Sequence, residues 1–246
     1  MKGIVFLGDR RLELQEFPDP SPGPREVVLE IKASGMCGTD LHAYRRAPSG
    51  AEPSIAGHEP CGVVAELGSE VSDREARVGD RVMVHHYDGC GNCRHCKTGW
   101  TQLCNEGSVS YGSGKGHGGH ARYMKVPAHT LLPLPEDLSF CSGAAISCGT
   151  GTAFGALKRL RVEGDQTVAI FGQGPVGLSA TQFGSAMGAR IIAVEISPER
   201  RELALEKGAH VVIDPSETDP VAAILELTHG EGSHKAIETS GNKEAR

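Results

Sequence analysis

Three residue types able to hold a metal fall close together early in the chain: Cys37, then His58 and Glu59. The first opens the run Cys37-Gly38-Thr39-Asp40-Leu41-His42, and the other two follow Gly57. A thiolate, an imidazole and a carboxylate suit zinc, and three protein ligands leave a position open for a substrate. Each residue also has a plainer reading. A single Cys is most often a small buried hydrophobe, and a His-Glu pair is commonly a surface feature. Thr39 or Asp40 fits equally well as the N-cap of a short turn carrying His42.

A second group is tighter. Cys90, Cys93, Cys96 and Cys104 are separated by two, two and seven residues in a loop containing Gly91. Four thiolates at this spacing close a tetrahedral zinc site that admits no substrate and pins a loop too polar to fold by packing. A disulfide knot or an iron-sulfur cluster uses the same residue type, but no proline follows the fourth cysteine as in the bacterial ferredoxin run. His95, inside the loop, reads as solvated.

The third signal is Gly172-Gln173-Gly174-Pro175-Val176-Gly177. Glycine turns are common, so context decides. The apolar run Thr167–Phe171 precedes it, a helical stretch to Met187 follows, and a second strand at Arg190–Val194 ends on Glu195. This order predicts a dinucleotide site in which helix-terminal N–H groups hold a pyrophosphate and the acid takes the ribose hydroxyls. An acid at Glu195 repels a 2'-phosphate and favours NAD over NADP, while Arg200 and Arg201 pull the other way. Two other stretches carry no site: Gly112–Gly116 lacks the Ser or Thr that follows the lysine of a phosphate loop, and His117-Gly118-Gly119-His120 reads as a turn before a strand. His85-His86 reads as structural, since successive strand residues face opposite ways.

The elements that must position these groups change character along the chain. Up to about Leu134, short β-type runs (Arg11–Phe17, Glu26–Ala33, Cys61–Leu67, Asp80–His86, Ala121–Val126) are broken by Gly, Pro and Asp, predicting a β-rich, barrel-like part. Ser139–Leu160 then has helical spacing, and from Thr167 strands and helices alternate through Pro198–Lys207, Val211–Ile213, Asp219–Thr228 and Lys235–Glu238. That makes four strands of a fold that normally has about six. The 246 residues allow one large or two ordinary domains, and 39% apolar with 23% charged content is that of a globular protein with a real core. Formal charge is 25 minus 31, or -6, and aromatics are 4%, which argues against a nucleic-acid partner. No apolar run reaches membrane-spanning length and the N-terminal one is too short for a signal peptide, so a cytoplasmic protein without a membrane partner is expected.

Taken together, Cys37-Gly38-Thr39-Asp40, Gly57-His58-Glu59, the four-cysteine loop, Cys148 and the glycine turn resemble the zinc-dependent medium-chain alcohol dehydrogenase family. The resemblance runs along the whole chain. It implies an α/β fold with a β-rich part: a GroES-like β-barrel-type catalytic domain over residues 1–155, then a partial Rossmann doubly wound parallel sheet over residues 156–246 that binds NAD(H). It implies a catalytic zinc on Cys37, His58 and Cys148 with Glu59 as an alternative ligand, and a structural zinc on the four-cysteine loop. By the same resemblance Thr39 takes the alcohol proton, His42 passes it to solvent by way of the cofactor ribose, Asp40 fixes the His58 tautomer, and Thr152 touches the nicotinamide end. The expected reaction is hydride transfer between an alcohol or polyol, or the matching aldehyde or ketone, and NAD, in a homo-oligomer. Members continue further than this chain, so the last strands of the nucleotide domain are expected to be missing. The competing expectations are a zinc-free reductase of the same superfamily and a truncated, non-catalytic, zinc-stabilised binding protein.

Overall fold

The computed structural model describes residues 1–48, 50, 52–113 and 115–242. The chain forms two compact units, Met1–Cys148 and Gly149–Arg246. In the first, the strands in chain order are β1 (Lys2–Gly8), β2 (Arg11–Glu16), β3 (Glu26–Gly35), β4 (Glu59–Leu67), β5 (Arg81–Val84), β6 (Tyr87–Asp88), β7 (Val109–Ser110), β8 (Tyr123–Pro127) and β9 (Leu131–Pro133). Its helices are α1 (Gly38–Arg45), α2 (Arg94–Lys97) and α3 (Phe140–Ala145). Five strands make an antiparallel sheet in the order β8-β3-β4-β5-β9, while β1-β2 and β6-β7 form separate ribbons. Val27, Leu29, Val64, Val82, Val84, Met124 and Val126 are buried in its core, supplied by facing positions of the paired strands.

This sheet explains why residues far apart in sequence meet. Gly35, the last residue of β3, pairs with Glu59, the first of β4. The chain therefore leaves the sheet just before Cys37 and re-enters it just after His58. At Gly35 a Cβ would run into the Glu59 carboxylate, and at Gly57, with φ +95, it would run into the His120 ring. Only glycine allows these approaches. Cys148 is delivered from the other end of the unit: α3 is capped by Ser139, packs on β3 and β4 through Ala144 beside Cys61, Met83 and Leu134, and runs into a π-helical turn at Ile146–Thr150. Such turns recur where a helix must aim a side chain at a site.

The second unit alternates α4 (Gly151–Leu160), β10 (Thr167–Phe171), α5 (Pro175–Ala186), β11 (Arg190–Val194), α6 (Pro198–Glu206), β12 (Val211–Ile213), α7 (Pro220–Leu227) and β13 (Lys235–Glu238). All pairs in its sheet are parallel, in the order β12-β11-β10-β13. Both faces are covered. Val168, Ile170, Ile191 and Ala193 pack with Leu157 of α4 and Ala180 of α5, while Ala169, Ile192, Val194 and Ile213 pack with Ile224 of α7. Continuous apolar strands are the consequence of that two-sided burial. The strand order reverses at β10, which places a crevice at its carboxyl end. Among the described residues no helix is long and apolar enough to cross a membrane.

One packing contact gives a direct check. A Cβ at Gly62 would meet the Glu30 carbonyl oxygen and the Ile31 Cα, both backbone atoms of the neighbouring strand. Gly62→Ala should destabilise the first unit by about 1–3 kcal/mol, whereas Gly38→Ala, whose Cβ meets nothing within 4 Å, should leave the thermal midpoint nearly unchanged; equal midpoints for both variants would refute the packing assignment.

Candidate metal centre and cofactor cradle

The centre begins with a helix cap. Cys37 precedes α1 in extended conformation, and its Sγ accepts a hydrogen bond from the Thr39 N–H at 3.3 Å. Asp40 Oδ2 accepts one from the Cys37 N–H at 2.9 Å, closing a capping box. The other oxygen, Oδ1, lies 3.3 Å from His58 Nδ1. That is ion-pair range, although the N–H is not aligned well enough for a hydrogen bond of good geometry. His58 therefore presents Nε2 on its far side, 3.0 Å from Cys37 Sγ. Asp40 and His58 are 2% and 1% exposed, so neither is a surface pair.

Ligand atoms of Cys37, His58, Glu59 and Cys148 all lie within 4.8 Å of one another. The residues fit zinc on chemistry as well as distance: two thiols, one imidazole whose other nitrogen faces a carboxylate, and one buried carboxylate. The groups of the cluster shift one another's proton affinity. The Cys148 thiol beside Cys37, together with His58, holds the Cys37 thiol down at about 3. The same pairing with Cys37, along with burial, pushes the Cys148 thiol well above its ordinary value. Burial pulls His58 downward, but Asp40 and Cys37 outweigh it and lift the imidazole to about 10. Burial raises Glu59 as well.

The four-cysteine loop also converges. Cys90, Cys93, Cys96 and Cys104 bring their sulfurs within 4.8 Å of one another. Cys104 Sγ accepts from the Cys90 N–H at 3.3 Å, Cys90 Sγ accepts from the Cys93 N–H at 3.3 Å, and the Cys93 and Cys96 sulfurs are 3.5 Å apart. Backbone N–H groups near Cys96 and Asn105 lower Cys93 to about 6, while burial lifts Cys96 to about 12. None of the eight cysteines is in a disulfide.

Of the residues read as a proton route, Asp40 is in the cluster, while Thr39 and His42 are exposed on α1. Thr39, Asp40 and His42 line a cavity of about 480 Å³ together with Arg45, Arg46 and Ser113. In the second unit, Gly172 has φ +85, and a Cβ there would strike Ser240. A Cβ at Gly177 would strike the Gly172 carbonyl, whereas at Gly174 it would meet nothing within 4 Å. Gly174 caps α5 with Pro175 next, and no side chain caps that N-terminus. The first turn thus offers backbone N–H groups across an open approach, which is what a pyrophosphate requires. Glu195 is held at the end of β11 by N–H donors from Gln173 at 2.6 Å and Ser197 at 3.0 Å. Arg201 is committed to Asp214 at 2.6 Å and to the Glu195 and Ile196 carbonyls. Arg200 lies 3.9 Å from Glu195, and Thr152 is exposed near the start of α4.

Residues 23–136 match the alcohol dehydrogenase GroES-like domain family and residues 175–246 match the zinc-binding dehydrogenase family. The chain belongs to the zinc-dependent medium-chain alcohol dehydrogenase family. An uncharacterized zinc-type alcohol dehydrogenase-like protein of Escherichia coli (strain K12) is 38% identical over 100% of this chain and 72% of its own length. An alcohol dehydrogenase of Geobacillus stearothermophilus is 37% identical over 98% of this chain and 70% of its own. The crystal structure of an NAD-dependent alcohol dehydrogenase superposes with a TM-score of 0.88 at 29% identity, covering 98% of this chain and 71% of that one. These likenesses run through both units, so they favour a dehydrogenase over the zinc-free and non-catalytic readings.

Two histidines that the sequence assigned to no site stand close to the cluster. His86 does not continue β5, which ends at Val84; its ring packs edge-on against His58 with centroids 5.0 Å apart. The sequence predicts a strand running to His86; it ends two residues earlier, and His86 is placed by packing rather than by strand alternation. His120, read as part of a turn, is fixed by Ser34 Oγ at 2.8 Å from its Nδ1 and packs over Gly57. Neither residue carries a local sequence signal.

The two cysteine groups predict different losses. Cys148→Ser should remove about one zinc per chain and leave the fold in place, while Cys93→Ser should remove the other and also lower the thermal midpoint. Metal analysis beside calorimetry checks this; full zinc content in Cys148→Ser would exclude Cys148 as a ligand.

Proposed function

We propose that the protein is a zinc-dependent, NAD-linked oxidoreductase acting on an alcohol or polyol and, in reverse, on the matching aldehyde or ketone. The observation that carries this reading is the convergence of Cys37 Sγ, His58 Nε2, the Glu59 carboxylate and Cys148 Sγ within 4.8 Å. Cys37, His58 and Cys148 hold the catalytic zinc on this reading, with Glu59 as an alternative ligand, and the Cys90, Cys93, Cys96 and Cys104 sulfurs hold a structural one. When bound, the catalytic zinc supplies a Lewis acid that makes an alcohol easier to deprotonate and a carbonyl easier to reduce.

The protein's own residues do the rest. Asp40, poised at His58 Nδ1, keeps the imidazole oriented with Nε2 toward the thiols. The Thr39 hydroxyl takes the alcohol proton and His42, four residues from the helix start and exposed, hands it to water. The first-turn N–H groups of α5, with Gly172, Gly174, Pro175, Val176 and Gly177, hold the NAD pyrophosphate. Glu195, already fixed by two backbone donors, accepts from the adenosine ribose hydroxyls, and Thr152 lies toward the nicotinamide end. Arg200, 3.9 Å from Glu195, is not spent on Asp214 as Arg201 is. Residues 1–155 then form the catalytic part and residues 156–246 the NAD-binding part of a homo-oligomeric, cytoplasmic enzyme of small molecules, without nucleic-acid or membrane partners.

A panel of primary alcohols, secondary alcohols and polyols with NAD tests the reading. Oxidation of at least one class, abolished by zinc chelation, is expected; no NADH formation from a protein carrying two zinc ions per chain would sink it. For the cofactor, Glu195→Ala should weaken NAD binding about tenfold or more through loss of charge-assisted hydrogen bonds while changing NADP binding less. An unchanged NAD to NADP ratio in fluorescence titration would remove Glu195 from the cofactor site.

A further inference from the structure

Gln173 is the second residue of the glycine turn, and it is wholly buried, at 0% exposure. An amide kept from water is costly unless its polar atoms are paired. Here both ends are. Its Nε2 donates to the Ile170 carbonyl at 3.2 Å, and its Oε1 accepts from the Thr181 hydroxyl at 2.8 Å. Thr181 lies in the body of α5 and is also 0% exposed. Its neighbour Ala180 packs in the apolar layer with Val168 and Ile170. A polar bridge thus runs inside that layer from β10, through the turn, to α5.

Stability gives no reason for the bridge. Leucine at position 173 and valine at position 181 would fill similar space with no polar atom to satisfy, and replacing both partners of a buried hydrogen bond by apolar groups is commonly near neutral. What the bridge does is fix the backbone of one residue. With its side chain held at two points, Gln173 keeps its own N–H on Glu195 Oε2 at 2.6 Å, while the Ser197 N–H holds Oε1 at 3.0 Å. The turn is pinned from its other side too, where the Thr239 hydroxyl lies 3.0 Å from the Phe171 carbonyl oxygen and 2.9 Å from that of Gly172. Glu195 is itself buried, so the turn and not solvent sets the direction of its carboxylate.

We propose that Gln173 and Thr181 are positioning residues for the cofactor: the hydrogen bond between their side chains holds the turn so that the Glu195 carboxylate faces the adenosine ribose hydroxyls, and in this way it sets the preference for NAD over NADP. This rests on the dinucleotide reading above and deepens it. Both side chains are sealed from a ligand, so they act through the backbone. Hydrogen bonds weaken as they depart from good geometry, and a carboxylate left free to turn is a poorer acceptor for the ribose and a weaker barrier to a 2'-phosphate.

The test titrates NAD and NADP by calorimetry and records the thermal midpoint of each variant. Thr181→Val keeps the shape and removes the hydroxyl, leaving Gln173 Oε1 buried without its donor. Its NAD affinity should fall about tenfold, the scale of one unmade buried hydrogen bond, and its NADP affinity should fall less, so the NAD to NADP ratio drops. Thr181→Ser restores the hydroxyl and should return the ratio toward the wild-type value. The double variant Gln173→Leu with Thr181→Val separates position from stability. It has no orphaned polar atom in the bridge, so its midpoint should recover relative to Thr181→Val while the ratio stays low. A wild-type ratio in Thr181→Val, or one that recovers together with the midpoint in the double variant, overturns the proposal. A wild type that binds neither nucleotide removes the dinucleotide reading and this proposal together, whereas a wild type that binds NAD, with an unchanged ratio in the variants, removes this proposal alone.

Discussion

The site depends on one chain reversal that sets the end of β3 beside the start of β4. Gly35 opposite Glu59 fixes the register there, and because the two strands run antiparallel, Cys37 and His58 must leave and return at the same edge. A one-residue slip would turn Glu59 to the other face of the sheet and pull His58 away from Cys37. Register is held against that slip by the buried Val27, Leu29 and Val64 further along the pair. The meeting of Cys37, His58 and Glu59 is therefore as well defined as the hydrophobic core behind it.

Cys37 combines two roles that are usually separate. As the N-cap of α1 its sulfur accepts from a helix N–H, and as a member of the cluster it stands 3.0 Å from His58. Helix N-termini favour negative charge, so the cap that starts the helix also stabilises the thiolate a metal wants. Asp40 closes the loop by accepting from the Cys37 backbone while facing His58 Nδ1. In the second unit the same economy appears at Glu195, whose carboxylate is preset by the N–H of Gln173 within the glycine turn. Acid and turn are a single hydrogen-bonded piece before any cofactor arrives.

Much of this was legible in the sequence because it is written in local pattern. Thr167–Phe171 and Arg190–Val194 were readable to the residue, since two-sided burial demands nearly unbroken apolar runs, and the alternation of strands and helices then placed Lys235–Glu238. The four-cysteine spacing and the Gly172 to Gly177 turn are short-range chemistry and read directly. Cys148 was not readable from its neighbours: its place depends on α3 packing on β3 and β4 and on a π-helical turn inside what looks like one long helix from Ser139 to Leu160. The short ribbons β6 and β7 and the packing of His86 and His120 are set by contacts across the chain, and nothing in their own segments encodes them.

The tie from Thr101 to His85 and to the Tyr87 carbonyl starts inside the four-cysteine lobe, between Cys96 and Cys104, and ends on either side of His86, whose ring packs against His58. The lobe is thus a buttress as well as a clasp. A descendant that discarded those thiols would lose the footing of that segment and would have to rebuild it with new packing before His58 could keep its place.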